Sequence, residues 1–305
     1  MLTIVNDYKK VNSEAGTVIA IGNFDGVHKG HEKLLEVLKE EAKKKGLPSV
    51  VYTFYEHPIN VIKGENFQKT IYPNETKEKL ISDMGVHTLF FEDFNRVKEL
   101  SCEEFVKEIL VGKFNIASAV IGKNGRFGKN ASGTAETLKR LGEKYGFLVH
   151  IVEPVTKEGV ICSSTAIRQA IKDGNPDLAQ KLLGRPYSVK GVVESNKHLG
   201  RTYGYPTANI TPDIKRIKIK RGIYGTNVKI SEKSYKAITN VGTTSFDDEE
   251  IYKIETHILD FNEDIYDKII EVEFLYYMRD FKSFTSVEEL KNQLDEDKKM
   301  RLWGN

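Results

Sequence analysis

Along the chain, the spacing of apolar and polar positions changes character near residue 184. Ahead of that point, short apolar, partly β-branched runs alternate with longer Leu-, Glu- and Lys-rich stretches. The short runs predict buried strands at 17–21, 48–54, 86–91, 117–121 and 147–152. The longer stretches predict helices at 33–45, 74–84, 101–111, 134–145 and 176–183. Asn74 reads as a helix cap, and Ser101 with Glu104 reads as a capping box. Strands alternating with helices predict a parallel sheet covered on both faces, with ligands beyond the carboxyl ends of its strands. Leu183-Gly184-Arg185-Pro186 is the predicted join. Beyond it, short strands dominate, at 187–194, 222–230, 234–241, 252–259 and 269–277, and a helix at 287–299 follows. That pattern predicts a small antiparallel barrel with a terminal helix. The expected domains are therefore 1–183 and 184–305.

One stretch in the first half carries the densest chemistry: GNFDGVHKGH, residues 22–31, between the strand at 17–21 and the first helix. Gly22, Gly26 and Gly30 admit a sharp turn and a close ligand. A helix start offers unpaired N–H groups and partial positive charge, which favour phosphate. His28 and His31 stand three apart, so one helical face can present both imidazoles there. The stretch reads as a triphosphate cradle with two movable donors, and Phe24 and Asp25 belong to it. It is neither a Walker loop nor GxGxxG, so P-loop hydrolysis and hydride transfer lose support. The turn GKNGRFG, residues 122–128, offers Asn124 and Arg126 to phosphate, or is simply a surface loop. Ser163, Ser164 and Thr165, with Arg168 following, either cap a helix or form an anion site. His57, before Pro58, marks a strand-exit turn or lines the site.

Composition narrows the classes. Of 305 residues, 39% are hydrophobic and 30% charged, with a net charge of +2. Such a balance carries no basic footprint for nucleic acid. The two cysteines, Cys102 and Cys162, lie far apart with no metal-ligand spacing, which fits a reducing compartment. The opening MLTIVNDYKK lacks the apolar core of a signal peptide, and no run of about 18 apolar residues is present. A cytoplasmic protein acting on small molecules is expected, with no membrane partner and with self-association left open.

In the second half the informative stretch is GRTYGYPTAN, residues 200–209. In an extended segment Thr207 and Asn209 point the same way, and their oxygens can share a hard cation such as Mg²⁺. Gly200 and Gly204, ahead of Pro206, can bring phosphate close to backbone N–H groups. An ordinary glycine turn leading to a strand is the alternative. Glu255 lies in an alternating strand, as a solvated side chain or as a general base.

Taken in order, GNFDGVHKGH, TFYEHP, GKNGRFG, SSTAIR, LLGRPY, GRTYGYPTAN and IETHILDF resemble the prokaryotic bifunctional riboflavin kinase/FMN adenylyltransferase family, also called FAD synthetases. HxGH itself is the signature of the nucleotidylyltransferase superfamily and is similar to the HIGH motif of class I aminoacyl-tRNA synthetases. The resemblance covers nearly the whole chain. It implies a Rossmann-like α/β adenylyltransferase domain followed by a riboflavin kinase barrel. It also implies ATP and Mg²⁺ as requirements, with riboflavin, FMN and FAD as substrates and products. By the same resemblance His28 and His31 serve adenylyl transfer, Glu255 is the kinase base, Thr207 and Asn209 hold Mg²⁺, and Arg201 and Arg279 join His57 in flavin binding.

The chain departs from the family pattern at several positions. Gly125 stands where Phe is usual, and Ser195-Asn196 replaces His-Gly. Residues 240–246 are one shorter than NIGxRPTF and lack its Arg and Pro, and Phe281 stands where Glu is frequent. Most of these fall in the barrel. Two rivals therefore stay open: an FMN adenylyltransferase with a degenerate kinase barrel, and a flavin-responsive regulator.

Overall fold

The computed structural model describes residues 2–65, 67–195, 205–246 and 249–303, with backbone alone for 244–246 and 249–251. The chain packs as two units, residues 1–164 and 165–305.

In chain order the first unit holds β1 (Thr3–Val5), β2 (Thr17–Ile21), α1 (Lys29–Lys45), β3 (Ser49–Phe54), α2 (Pro58–Lys63), α3 (Asn74–Asp83), β4 (Thr88–Glu92) and α4 (Phe94–Val97). Next come α5 (Cys102–Glu104), which runs on as wide π-type turns over Phe105–Val111, then β5 (Ile116–Gly122), β6 (Arg126–Phe127), β7 (Gly133–Thr134) and α6 (Ala135–Tyr145). β8 (Leu148–Val152), β9 (Thr156–Lys157), β10 (Val160–Ile161) and the first residue of α7 (Ser164–Lys172) complete it. Six strands form one parallel sheet in the order β1-β4-β3-β2-β5-β8. β2 lies inside the sheet and is buried along its length, which is why its sequence is an unbroken apolar run. Its residues alternate between two cores. Ile19 and Ile21 join Tyr52, Phe90 and Phe114 on one face, while Val18 and Ala20 join Leu35, Val51 and Leu89 on the other. The strand order reverses at β2 and β5, so a crevice opens beyond their carboxyl ends. The turns 22–28 and 122–128 both rise there.

Polar contacts tie α1 to the sheet. Ser118 Oγ donates to Glu41 Oε1 at 2.9 Å, and His150 Nε2 lies 3.4 Å from Glu41 Oε2. These bonds and the His150 charge hold the Glu41 carboxyl below its ordinary range, although burial alone, the largest single influence, pushes it up. The predicted capping box at Ser101 and Glu104 is present. Two helix-capping readings differ from the structure. Asn74 is not a cap: Pro73 precedes α3, and Asn74 Nδ2 donates instead to the Tyr55 carbonyl at 2.9 Å. α1 begins at Lys29 rather than 33, because His28 caps it.

The second unit holds the rest of α7, then α8 (Pro176–Leu183), β11 (Tyr187–Val192), β12 (Ala208–Ile210), β13 (Gly222–Ile230), β14 (Lys233–Phe246), β15 (Glu249–Ile258), β16 (Ile269–Arg279) and α9 (Val287–Trp303). Its strands pair antiparallel in the order β11-β16-β13-β14-β15-β12. The sheet curls until Glu194, just past β11, donates its N–H to the Asn209 carbonyl in β12 at 2.8 Å. This is the predicted antiparallel barrel with its helix. Inside it, the hydroxyls of Thr226, Thr239 and Thr256 adjoin at 2.8 and 3.0 Å, among Tyr224, Ile254 and Phe274. Buried Arg301 of α9 donates to the carbonyls of Thr226 and Ala237 and to Asn227 Oδ1, fastening the helix to β13 and β14. The packing division falls at 164–165, and α8 packs on β11 and β16; the predicted join at 183–184 follows α8.

Candidate functional site

Past β2 the chain turns so tightly that Phe24 and Val27 take positive φ values of 50° and 39°, with Gly26 at 83°. Such backbone at non-glycine residues is held only where surroundings impose it. Phe24 is fully buried, and its ring lies 4.9 Å from that of His31. His28 Nδ1 accepts the N–H groups of Gly30 at 3.2 Å and His31 at 3.3 Å, capping α1. Because Nδ1 is an acceptor, the neutral ring carries its proton on Nε2. The two imidazoles stack at 3.7 Å and 22°. The structure thus brings the two predicted imidazoles face to face.

The neighbouring segments brace this turn. Gly22 N–H donates to the Tyr52 carbonyl at 3.2 Å. A Cβ on Gly30 would stand 3.0 Å from the Cys162 carbonyl, so glycine admits the 162–164 segment. Ser164 Oγ donates to the Asp25 carbonyl at 2.9 Å. The Asp25 carboxylate, itself buried, accepts the Ile71 N–H at 3.0 and 3.3 Å. Thus Asp25, read from sequence as a nucleotide contact, spends its carboxylate on the loop ahead of α3. Lys77 of α3 is buried there too. Burial pushes its pKa down to about 8, opposed by the charges of Asp25 and Glu78. Sequence reasoning missed Lys77, since it looks like any surface lysine on a charged helix.

Asn124 and Arg126 are exposed on the turn after β5. A Cβ at Gly125 would meet Ile121 Cγ1 at 2.5 Å, so the Phe usual in the family would not fit here without repacking. His57 caps α2, its Nδ1 accepting the Ile59 N–H at 3.3 Å. Alongside, at the carboxyl ends of β3 and β4, lies a cleft of about 350 Å³ lined by Tyr55, Glu56, Val61, Phe91, Phe94 and Arg96. His57 does not line it but fixes the helix that carries Val61. None of the lining residues was read from the sequence, where an aromatic run looks like core. A hollow of about 520 Å³ at the amino ends, beside Lys39, Lys43 and His87, is remote from every motif. Ser163 is partly exposed. Thr165 and Arg168 belong to the second unit, on α7, with Arg168 buried.

In the barrel, Glu255 of β15 stands opposite Asn209 of β12 on one side and Asn240 of β14 on the other. Directly opposed residues share a face, so the three form one row. Asn240 Nδ2 donates to Glu255 Oε2 at 3.4 Å. The Oδ1 atoms of Asn209 and Asn240 are both buried with no hydrogen-bond partner among the described residues. The Pro206 carbonyl lies 2.9 Å from His257 Nδ1 and can only accept, so that nitrogen bears hydrogen. Burial holds the His257 pKa below its ordinary value. Tyr205 OH donates to Asp295 Oδ1 at 2.7 Å, tying the segment before β12 to α9. Arg279, read as a flavin contact, donates to both carboxylate oxygens of Asp297 at 2.9 and 2.6 Å. Gly200, Arg201 and Gly204 lie outside the described residues.

Among the described residues no group of three or more His, Cys, Asp or Glu could hold a metal. The row at Asn209 instead offers buried amide oxygens beside the Glu255 carboxylate, and oxygen donors of this kind suit a hard cation. No helix of the described residues is long and apolar enough to cross a membrane.

Comparison with known proteins matches two family models along the chain. A family model described as FAD synthetase matches residues 10–166, and one described as riboflavin kinase matches 183–302. The chain is 36% identical over 301 residues to a bifunctional riboflavin kinase/FMN adenylyltransferase of Buchnera aphidicola, covering 96% of this chain and 95% of that protein. It is 34% identical to the protein of that description from Bacillus subtilis, covering 96% and 94%. A crystal structure described as a macrolide-efflux protein from Streptococcus pneumoniae is 34% identical, with a TM-score of 0.91, and covers 100% of this chain and 99% of that one.

Proposed function

The chain belongs to the bifunctional riboflavin kinase/FMN adenylyltransferase family, and from that premise we propose which residues carry each of its two reactions. It is an enzyme of FAD biosynthesis: riboflavin takes a phosphoryl group from ATP to give FMN, and FMN is adenylylated to FAD with release of pyrophosphate. Domain limits of 1–183 and 184–305 assign adenylyl transfer to the first domain and phosphoryl transfer to the second.

In the first domain an FMN phosphate oxygen attacks the α-phosphorus of ATP. That oxygen is already anionic near neutral pH, so no base is required. His28 donates from Nε2, and His31 beside it donates to the transferring and leaving phosphates, where charge builds. Gly22, Gly26 and Gly30 let the nucleotide approach the turn, with Asn124, Arg126, Ser163 and Ser164 as its further contacts. The flavin ring occupies the cleft beside Tyr55 and Phe94, whose volume and aromatic walls suit it. Asp25 and His57 act by holding the turn and the cleft edge.

In the barrel Glu255 accepts the proton of the ribityl 5′-hydroxyl as the γ-phosphoryl group transfers. The buried, unpartnered Asn209 Oδ1 is the observation that fits Mg²⁺: Asn209 and Thr207 would hold the ion, which neutralises phosphate charge when bound. Arg279 acts through its ion pair with Asp297, shaping the strand end beside α9. The two free thiols suit a cytoplasmic setting, and the near-neutral charge suits small-molecule substrates without nucleic acid.

The observation that carries the reading is the stacked His28–His31 pair at the start of α1, where the strand order reverses. Its test is chromatography of flavins after incubating the purified protein with Mg²⁺-ATP and either riboflavin or FMN. Riboflavin should give FMN and then FAD, and FMN should give FAD. Neither product would end the reading, and FAD from FMN alone would mean a barrel without kinase activity.

A further inference from the structure

Asn240 belongs to no role assigned above, yet it flanks the kinase base. It faces Glu255 across the β14–β15 ladder, and its amide can present only one end to a carboxylate. The Nδ2 end does so, at 3.4 Å, which turns Oδ1 away from Glu255. That oxygen is buried and has no partner among the described residues. A buried amide oxygen left unpaired is unfavourable, so it calls for a ligand that completes it. The next residue on this face of β14 is Gly242. Among the described residues a Cβ there would find only the Asn240 amide within 4 Å, at 3.8 Å, so no described side chain covers the wall beside Asn240. Across the ladder from Gly242, Lys253 is engaged with Glu194 at 3.3 Å. The row therefore presents two buried acceptor oxygens without partners among the described residues, Asn209 Oδ1 and Asn240 Oδ1, and these call for donors. A polyhydroxy chain supplies them.

We propose that Asn240 works at both ends of its amide: Nδ2 holds the Glu255 carboxylate in line, and Oδ1 accepts a hydrogen bond from a ribityl hydroxyl of riboflavin. This rests on the kinase reading of the barrel. Asn240 thereby contacts substrate and positions the base, and the two effects separate kinetically.

The test measures FMN formation by the full chain carrying Asn240→Ala, Asn240→Asp, Glu255→Gln or the pair Asn240→Ala/Glu255→Gln. Thermal unfolding and circular dichroism of each variant serve as the control for folding, and FAD formation from supplied FMN serves as the control for the amount of active first domain. Asn240→Ala should lower kcat about 10-fold and raise KM for riboflavin about 5- to 10-fold, as loss of one hydrogen bond of each kind predicts. Asn240→Asp keeps an acceptor oxygen and loses the donor, so it should lower kcat with KM near that of the unaltered protein. On the Glu255→Gln background, Asn240→Ala should lower kcat no further while the KM effect persists, because the kcat effect acts through Glu255. Additive losses in kcat, or an unchanged KM in Asn240→Ala, would overturn the proposal. If Asn240→Ala does not fold, Asn240→Asp decides alone: kcat unchanged overturns it, and kcat lowered at constant KM supports it. An unaltered protein that made no FMN would remove the kinase reading itself, a separate and recognisable result.

Discussion

Lys77 keeps an amine where little water reaches it, close to Asp25 in the turn that leads to His28 and His31. Its pKa falls from 10.5 to about 8 on folding, chiefly through burial. Between those values the unfolded chain holds a proton that the folded chain has released, so stability rises with pH across that window. At lower pH the fold carries the full cost, on the order of 3 kcal/mol. Lys77→Met should flatten the climb in melting temperature between pH 8 and 10, measured by thermal unfolding at constant salt; an unchanged slope would refute this origin. His28 offers a second residue-scale prediction, because it caps α1 and is also the proposed donor to the phosphates. His28→Asn should preserve the melting temperature, since asparagine caps well, yet lower FAD formation about 10²–10³-fold. His28→Ala should lose that activity and in addition about 1 kcal/mol of stability. The paired histidines are legible in sequence because their spacing and the glycines around them are local. Lys77 and Asn240 are not, because their importance comes from what a distant segment buries against them.

The elements were legible wherever one periodicity ran long enough, as in β2, β13 and α8. β1 escaped because its three residues carry too short a pattern, and its partner β4 lies far along the chain. The cap of α3 escaped because Asn74 looks right for it, while a proline before the helix and the Tyr55 carbonyl settle the matter in space. α9 shows how one buried side chain can fasten an element whose own sequence is largely polar. Arg301 there serves two backbone carbonyls and one amide oxygen. Arg301→Ala would strand those acceptors, at a cost of about 2–4 kcal/mol. Because α9 also anchors Tyr205 and Arg279, FMN formation should fall in this variant while FAD formation from supplied FMN persists. Limited proteolysis should then release the α9 end first; equal loss of both activities would count against this role.

For the whole molecule, the sequence motifs fall into two packing units, each with its own core. His31→Ala should therefore lower FAD formation about 10²–10³-fold and leave FMN formation near normal. Glu255→Ala should do the reverse when riboflavin is supplied, with FAD still made from FMN. Parallel loss of both activities from either change, in a folded protein, would refute this independence. The parallel run of β1 has a practical corollary. Since Thr3 pairs with Thr88 at the start of β4, the first strand enters the sheet at the end opposite the turns 22–28 and 122–128. A tether or fusion partner joined ahead of Thr3 would leave from that far side, so the adenylylating face should stay accessible on an immobilised sensor surface.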